Sequence, residues 1–207
     1  MVLKSRYRKS SEVGVNYDFA DILADVGYVT FYGMEDEAGT QSLTRLTIES
    51  SNVKSTITGT SGNVESNLDY EFLLPAHVKG NLFVTITIEA DGSGANAATN
   101  DTTIKIYHYD GTTETQLGST ATLPQLENPA STAADQARHS ATFAVDKVFK
   151  KGDILRVEVI STIASANANS TASHYHDGAN RDLSLTDQFE VSCRSDLIVQ
   201  TPFQLSL

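Results

Sequence analysis

Hydrophobic and polar residues alternate strictly through Ile154–Ile160, with Leu155, Val157 and Val159 on one face and Arg156 and Glu158 on the other, beside Ile154 and Ile160. A period of two predicts a half-buried strand, launched by the polar turn Lys150-Lys151-Gly152-Asp153. The same period sets Leu82, Val84, Ile86 and Ile88 against Phe83, Thr85, Thr87 and Glu89. It recurs where Ile104 and Ile106 oppose Thr103, Lys105 and Tyr107. Asp110-Gly111 then supplies a turn that tolerates positive φ, so an antiparallel neighbour is expected there. Gly27–Gly33 reads as an aromatic, β-branched strand, Leu43–Glu49, with one irregular step, and Val53–Thr58 continue the pattern, and Phe72-Leu73-Leu74-Pro75 ends a strand because proline cannot donate to a ladder.

Between these runs lie three small, polar stretches read as loops: Asp91–Asp101, Ala130–Gln136 and Ala164–Asn180. Ala20–Asp25, with Asp18 or Asp21 as cap, is the one short segment that fits a helical turn. A final strand is expected within Asp196–Leu207. The elements together predict an all-β chain: an antiparallel two-sheet jelly-roll sandwich of about eight to ten strands with long loops. A hydrophobic share of 40% over 207 residues is enough for one core. The expected division is a basic arm over residues 1–12 and a single sandwich domain over 13–207.

Three segments carry a resemblance: Gly27–Gly33 following Tyr17-Asp18-Phe19, the Lys151-Gly152-Asp153 turn, and the closing Thr201-Pro202-Phe203-Gln204-Leu205-Ser206-Leu207. In these the chain resembles jelly-roll structural proteins from virions of tailed phages and related viruses. A glycine-aspartate ahead of an alternating strand also occurs in trimeric tumour-necrosis-factor-like and complement-globular-like domains. The resemblance implies a capsid decoration, cement or minor capsid subunit, located in the virion. It also implies a homo-oligomer, trimer foremost, that contacts other virion structural proteins.

Charge adds an asymmetry. Lys4, Arg6, Arg8 and Lys9 fall in the first nine residues, which hold no acid, while the chain as a whole carries a net charge of -11. An acidic body with a basic arm is therefore expected to dock the arm onto an acidic neighbour. Nucleic acid is the less favoured partner, because the body repels it. Cys193 is the sole cysteine, so no intrachain disulfide forms. No apolar stretch reads as a signal peptide or a bilayer span, so no membrane partner is expected.

Candidate chemistry is sparse. His174 and His176 can face one side of an extended segment, as in cupin-like metal enzymes, with His77, His108 or His139 as a further ligand. The supporting cupin glycine and glutamate spacing is not evident, and the pair reads as solvated-loop or packing histidines. Asp91, Asn96, Asn100 and Asp101 carry oxygen ligands suited to calcium, yet lack the EF-hand alternation and read as turn residues. Tyr7, Tyr17, Tyr28, Tyr32, Tyr70, Tyr107, Tyr109 and Tyr175 offer a sugar-stacking platform or simply fill strands. No catalytic, cofactor or metal residue is assigned, and no cofactor is expected. The reading is a non-enzymatic virion structural protein; a carbohydrate-binding sandwich is the alternative and a metal-dependent cupin-like enzyme the third.

Overall fold

A computed structural model describes residues 26–36, 38–45, 53–93, 96–129, 134–177 and 197–204. Among them are twelve strands and no helix: β1 (Val26–Glu35), β2 (Gln41–Thr44), β3 (Val53–Thr58), β4 (Ser61–Glu71), β5 (Ala76–Asp91), β6 (Ala98–Tyr109), β7 (Glu114–Thr122), β8 (Leu126–Asn128), β9 (Asp135–Phe149), β10 (Ile154–Ser165), β11 (Thr171–Asp177) and β12 (Ile198–Gln204). The chain is all-β.

Hydrogen bonding runs in the order β3-β11-β5-β12-β1-β2-β4-β10-β6-β7, with β9 on the other edge of β5 and β8 beside β6. All pairings are antiparallel except a single parallel step, Ser42 opposite Asp69, between β2 and β4. That step is the fold line. On one side β9, β5, β11, β3, β12, β1 and β2 make one layer; on the other β4, β10, β6, β7 and β8 make the second. β5 packs over β6, β3 over β4, β11 over β10 and β9 over β7, which closes a two-layer jelly-roll sandwich.

The alternation expected for Ile154–Ile160 and for Leu82–Ile88 is borne out: Leu155, Val157, Val159, Leu82, Val84, Ile86 and Ile88 are fully buried, as are Ile104 and Ile106. Each such side chain contributes about 1.5–3 kcal/mol by leaving water. An aromatic series closes one part of this core, from Phe31 through Tyr70 and Phe72 to Phe149 and His108, with centroids 4.4, 5.2, 4.5 and 5.0 Å apart. The Asp110-Gly111 turn forms as expected, with Gly111 at φ +92°.

Three expectations change. Strands number twelve among the described residues rather than about eight to ten, the short β8 and the polar β11 being two that no apolar pattern marks. Strand β5 reaches Asp91, β6 begins at Ala98 and β9 already holds Asp135 and Gln136, so the first two expected loops are shorter than Asp91–Asp101 and Ala130–Gln136. Most consequentially, Ala164–Asn180 is not one loop. It contains β11, an interior strand bonded to β3 and β5, whose residues Ala172–Asp177 are all buried. The basic arm, the Ala20–Asp25 helical turn and Cys193 lie outside the described residues.

Candidate functional site

β11 places a row of polar side chains between the two layers. Ala172, His174 and His176 turn toward the second layer, whereas Ser173 and Tyr175 turn away from it. Opposite them β4 supplies Ser66, β10 supplies Ser161 and β6 supplies Thr102 and Asn100, while β3 adds Ser55 alongside. The contacts form one continuous line. Glu35 Oε2 lies 2.8 Å from His176 Nε2, and His176 Nδ1 lies 3.3 Å from Ser55 Oγ. Ser55 Oγ is 2.7 Å from Ser66 Oγ, which is 2.8 Å from His174 Nε2. His174 Nδ1 then meets Ser161 Oγ at 3.0 Å, Ser161 meets Thr102 Oγ1 at 2.9 Å, and Thr102 donates to Asn100 Oδ1 at 2.9 Å.

Two features bring the far end of the row together. His176 sits in a β-bulge, since Tyr175 pairs with Lys54 and Asp177 with Val53. β1 then presses on the bulge at Gly33, where a Cβ would lie 2.0 Å from the His176 carbonyl oxygen. No other residue fits there. Glu35 donates its amide to Asp177 Oδ2 at 2.9 Å, which fixes the strand end against β11. Gln41 donates to Glu35 Oε2 at 3.1 Å while its own carbonyl accepts from Asn67 N.

The direction of the hydrogens from Asn100 to Ser55 follows from their partners. Asn100 donates both amide hydrogens, to the Glu89 and Ser173 carbonyls at 2.8 Å each, so its Oδ1 must accept. Thr102 therefore spends its one hydrogen on Asn100, Ser161 spends its own on Thr102, and His174 must donate from Nδ1. Burial, with the neighbouring His176 ring adding to it, pushes His174 down to about 3, so the ring is neutral at ordinary pH and its Nε2 accepts. Ser66 thus donates to His174 and Ser55 donates to Ser66, while the His176 ring meets Ser55 through Nδ1 and both Glu35 Oε2 and, at 3.4 Å, Gln41 Nε2 through its Nε2. Ser55, His176 and Glu35 have the composition of a nucleophile–base–acid set, but Ser55 spends its hydrogen on Ser66 rather than on the histidine.

On the other face of β11, Glu89 accepts from Tyr175 Oη and Gln136 Nε2, both at 2.6 Å, and is paired with Lys54. Burial alone would raise its carboxyl, yet the Lys54, Tyr175 and Gln136 hydrogen bonds outweigh it and hold the group below the usual carboxylate range.

The other candidates are dispersed. His77 pairs with Asp146 at 2.6 Å on the outer face of β5, and His108 pairs with buried Asp153 at 2.7 Å. His139 stands on β9, opposite Ile86. Among the described residues no three of His, Cys, Asp and Glu gather as a metal-ligand group. Of the calcium candidates, Asn100 points into the polar row, whereas Asp101 accepts from Gln125 at 2.9 Å on the opposite face. Tyr70 and Tyr175 are used in packing, Tyr109 bonds the Gly111 carbonyl, and Tyr28 stands 45% exposed with Phe83 at 6.0 Å. The polar row escaped sequence reasoning. Its signal was the period-two run Ala172/His174/His176 inside a stretch whose Asn, Ser and Ala content suggested a loop.

No family model and no curated relative matches the sequence. Among solved structures the chain is similar to a CocE/NonD family hydrolase from Staphylococcus aureus, with a TM-score of 0.53 and 11% identity over 86% of this chain and 37% of the hydrolase. A second structure of that hydrolase gives 0.47 at 9% identity, over 87% of this chain and 37% of the other. Eiger TNF from S. frugiperda gives 0.25 at 11% identity, over 86% and 93%. The chain spans little more than a third of the hydrolase's length, and the likeness is one of fold.

Proposed function

We propose that the chain is a non-enzymatic structural subunit that works through contacts between copies of itself, of the kind that decorates, cements or completes a virion, with a trimer foremost as its working form. The observation that carries this reading is the turn between β4 and β5. Leu73 and Leu74 stand there side by side, 69% and 75% exposed, with Val148 of β9 57% exposed close to the same end of β5. The base of the turn is clamped: Phe72 N donates to the Asp153 carbonyl at 2.9 Å and Gly152 N donates to the Phe72 carbonyl at 2.8 Å. Buried Phe72 also packs on Phe149. Adjacent leucines on a rigid base form a preorganised apolar knob, which lowers the ordering cost of a contact. The hydrogen count of the polar row also supports the non-enzymatic side of the reading, because Ser55 directs its hydrogen to Ser66 rather than to His176.

Replacing both leucines, L73D/L74D, leaves the core untouched and is expected to keep the wild-type melt while weakening self-association in analytical ultracentrifugation. An intact chain that stays monomeric at every concentration, or a double variant that associates as tightly as the parent, overturns the reading.

A second reading, carbohydrate binding, has one observation in its favour: Tyr28 and Phe83 form an aromatic pair on the outer face, tilted by 39°. Binding to a glycan array that is lost in Y28A would favour it.

A further inference from the structure

The knob between β4 and β5 is not purely apolar. The clamp that ties Phe72 to Gly152 and Asp153 also holds the turn between β9 and β10 beside it, and that turn presents Lys150 and Lys151, both exposed. Two nearby acids are already engaged: Asp146 bonds His77 and lies 3.7 Å from Lys79, and Asp153 is buried against His108. Glu71, at the root of the turn, stands exposed on the outer face of the second layer. Bringing two such knobs face to face would set lysines against lysines, so an isologous contact through the knob works against itself.

The outer face of the second layer has the complementary pattern. On β10, Ile160 is a half-buried apolar residue among polar ones, directly opposite Glu65 of β4 and Thr103 of β6. Asp101 of β6 stands on the same face one row further along, opposite Thr162. Glu65 accepts from Asn67 Nδ2 at 2.6 Å and Asp101 from Gln125 Nε2 at 2.9 Å, so neutral amides hold both carboxylates. Among the described residues neither is bonded to a cation, whereas Glu158 is paired with Lys105 at 2.6 Å and Asp69 with Arg156 at 2.7 Å. Along β10, Ile160 is separated from the root of the knob by the strand back to Ile154, which pairs with Glu71. That length of strand spans about 20 Å, so a chain's own knob does not reach this patch.

We propose that the knob of one copy docks on this patch of the next, with Leu73 and Leu74 against Ile160 and with Lys150 and Lys151 on Glu65 and Asp101. Such docking rests on the self-association reading and adds the surface that receives the knob. The contact is heterologous, the end of one subunit on the flank of another, and it closes a ring when the rotation between copies permits. Copies of an acidic chain attract only where a basic patch meets an acidic one, which fixes the register of the contact. A lipid surface is the less favoured partner, since an anionic membrane repels a chain of net charge -11.

Carbodiimide coupling of the unaltered protein, followed by mass spectrometry of its peptides, tests the contact directly. Crosslinks from Lys150 or Lys151 to Glu65 or Asp101 are expected, and in a mixture of light and heavy isotope-labelled protein they should join light chains to heavy ones. E65K/D101K should weaken self-association in analytical ultracentrifugation by about tenfold or more while its melt stays near that of the parent, and K150E/K151E should do the same. Both reversals combined in one chain should restore association. A parent that stays monomeric overturns the self-association reading and this contact together. A parent whose association falls in L73D/L74D but not in E65K/D101K leaves that reading standing and overturns only this contact, as does a combined variant that stays dissociated. Binding to phosphatidylserine vesicles that is lost in L73D/L74D and kept in E65K/D101K would assign the knob to a lipid surface instead. Should the variants fail to fold, the crosslinks decide alone, and their absence between chains that do associate overturns the proposal.

Discussion

Two buried histidines each meet a carboxylate in this molecule, and their surroundings make them different devices. His108 bonds Asp153 at 2.7 Å, and its ring stands edge-on to Phe149, with centroids 5.0 Å apart. Asp153 also accepts the Lys150 amide at 2.9 Å, so the pair ends in its own turn. The His108 hydrogen bond, and after it the Lys150 amide, hold the Asp153 carboxyl below its usual range. His176 also bonds a carboxylate, but its other ring nitrogen meets a hydroxyl rather than an aromatic wall. One arrangement staples a turn, and the other connects the surface to the middle of the sandwich. The difference lies in what the second side of the ring touches, not in the histidine–carboxylate bond.

The largest effect is expected from breaking the connected end. In G33A the new methyl meets the His176 carbonyl at 2.0 Å and Leu68 Cδ2 at 2.9 Å, and backbone cannot yield as a flexible side chain can. A loss of about 3–5 kcal/mol in urea unfolding is expected. A loss below about 1 kcal/mol would mean that β1 does not press on the bulge, and the row would lose its Glu35 terminus.

Breaking the stapled end should cost less. D153A removes the partner of buried His108 and the acceptor for Lys150 N, for about 2–3 kcal/mol at neutral pH. The pH dependence separates the two ends. Asp153 has a folded value below its unfolded 3.8, so its contribution is present above that pH and fades only as pH falls through the folded value. His174 lies at about 3 in the fold against 6.5 unfolded, so its contribution is full above 6.5 and declines by about 1.4 kcal/mol per pH unit below it. Urea midpoints of D153A and the parent should therefore fall in parallel from pH 6.5 to 4.5 and converge only below about pH 4. Convergence already at pH 6 would assign the acid response to the wrong end.

Much of the sandwich was legible because Leu82–Ile88, Ile104–Ile106 and Leu155–Val159 put apolar residues on one face and polar residues on the other. Asp110-Gly111 was legible for the same local reason, a turn chemistry that needs no knowledge of the rest of the chain. β11 was not. An interior strand that carries the polar row through the core has Ser and His where its neighbours have Val and Ile, so its composition imitates a loop. Only its period of two marks it as a strand. The partners of His174 come from β4 and β10, far away in sequence, and no spacing announces them. Among the described residues Thr201 Oγ1 is the one buried polar side-chain atom left without a hydrogen-bond partner, so the row is satisfied throughout.

The smallest effect is expected from a third carboxylate, which holds a turn with no histidine bonded to it. Asp110 Oδ1 accepts from Thr113 N at 2.7 Å, Thr112 N at 3.0 Å and Thr112 Oγ1 at 2.8 Å, and these bonds hold it down to about 2. The group is exposed, so water replaces much of what a substitution removes. D110A is expected to destabilise the chain by less than D153A, with the loss confined to pH above about 2 and fully developed above the unfolded value of 3.8. Comparison of the two variants isolates what the buried His108 bond adds to ordinary turn capping. Equal losses in thermal melts at neutral pH would mean that it adds nothing, and that the stapled end is held by the backbone bonds to Asp153 alone.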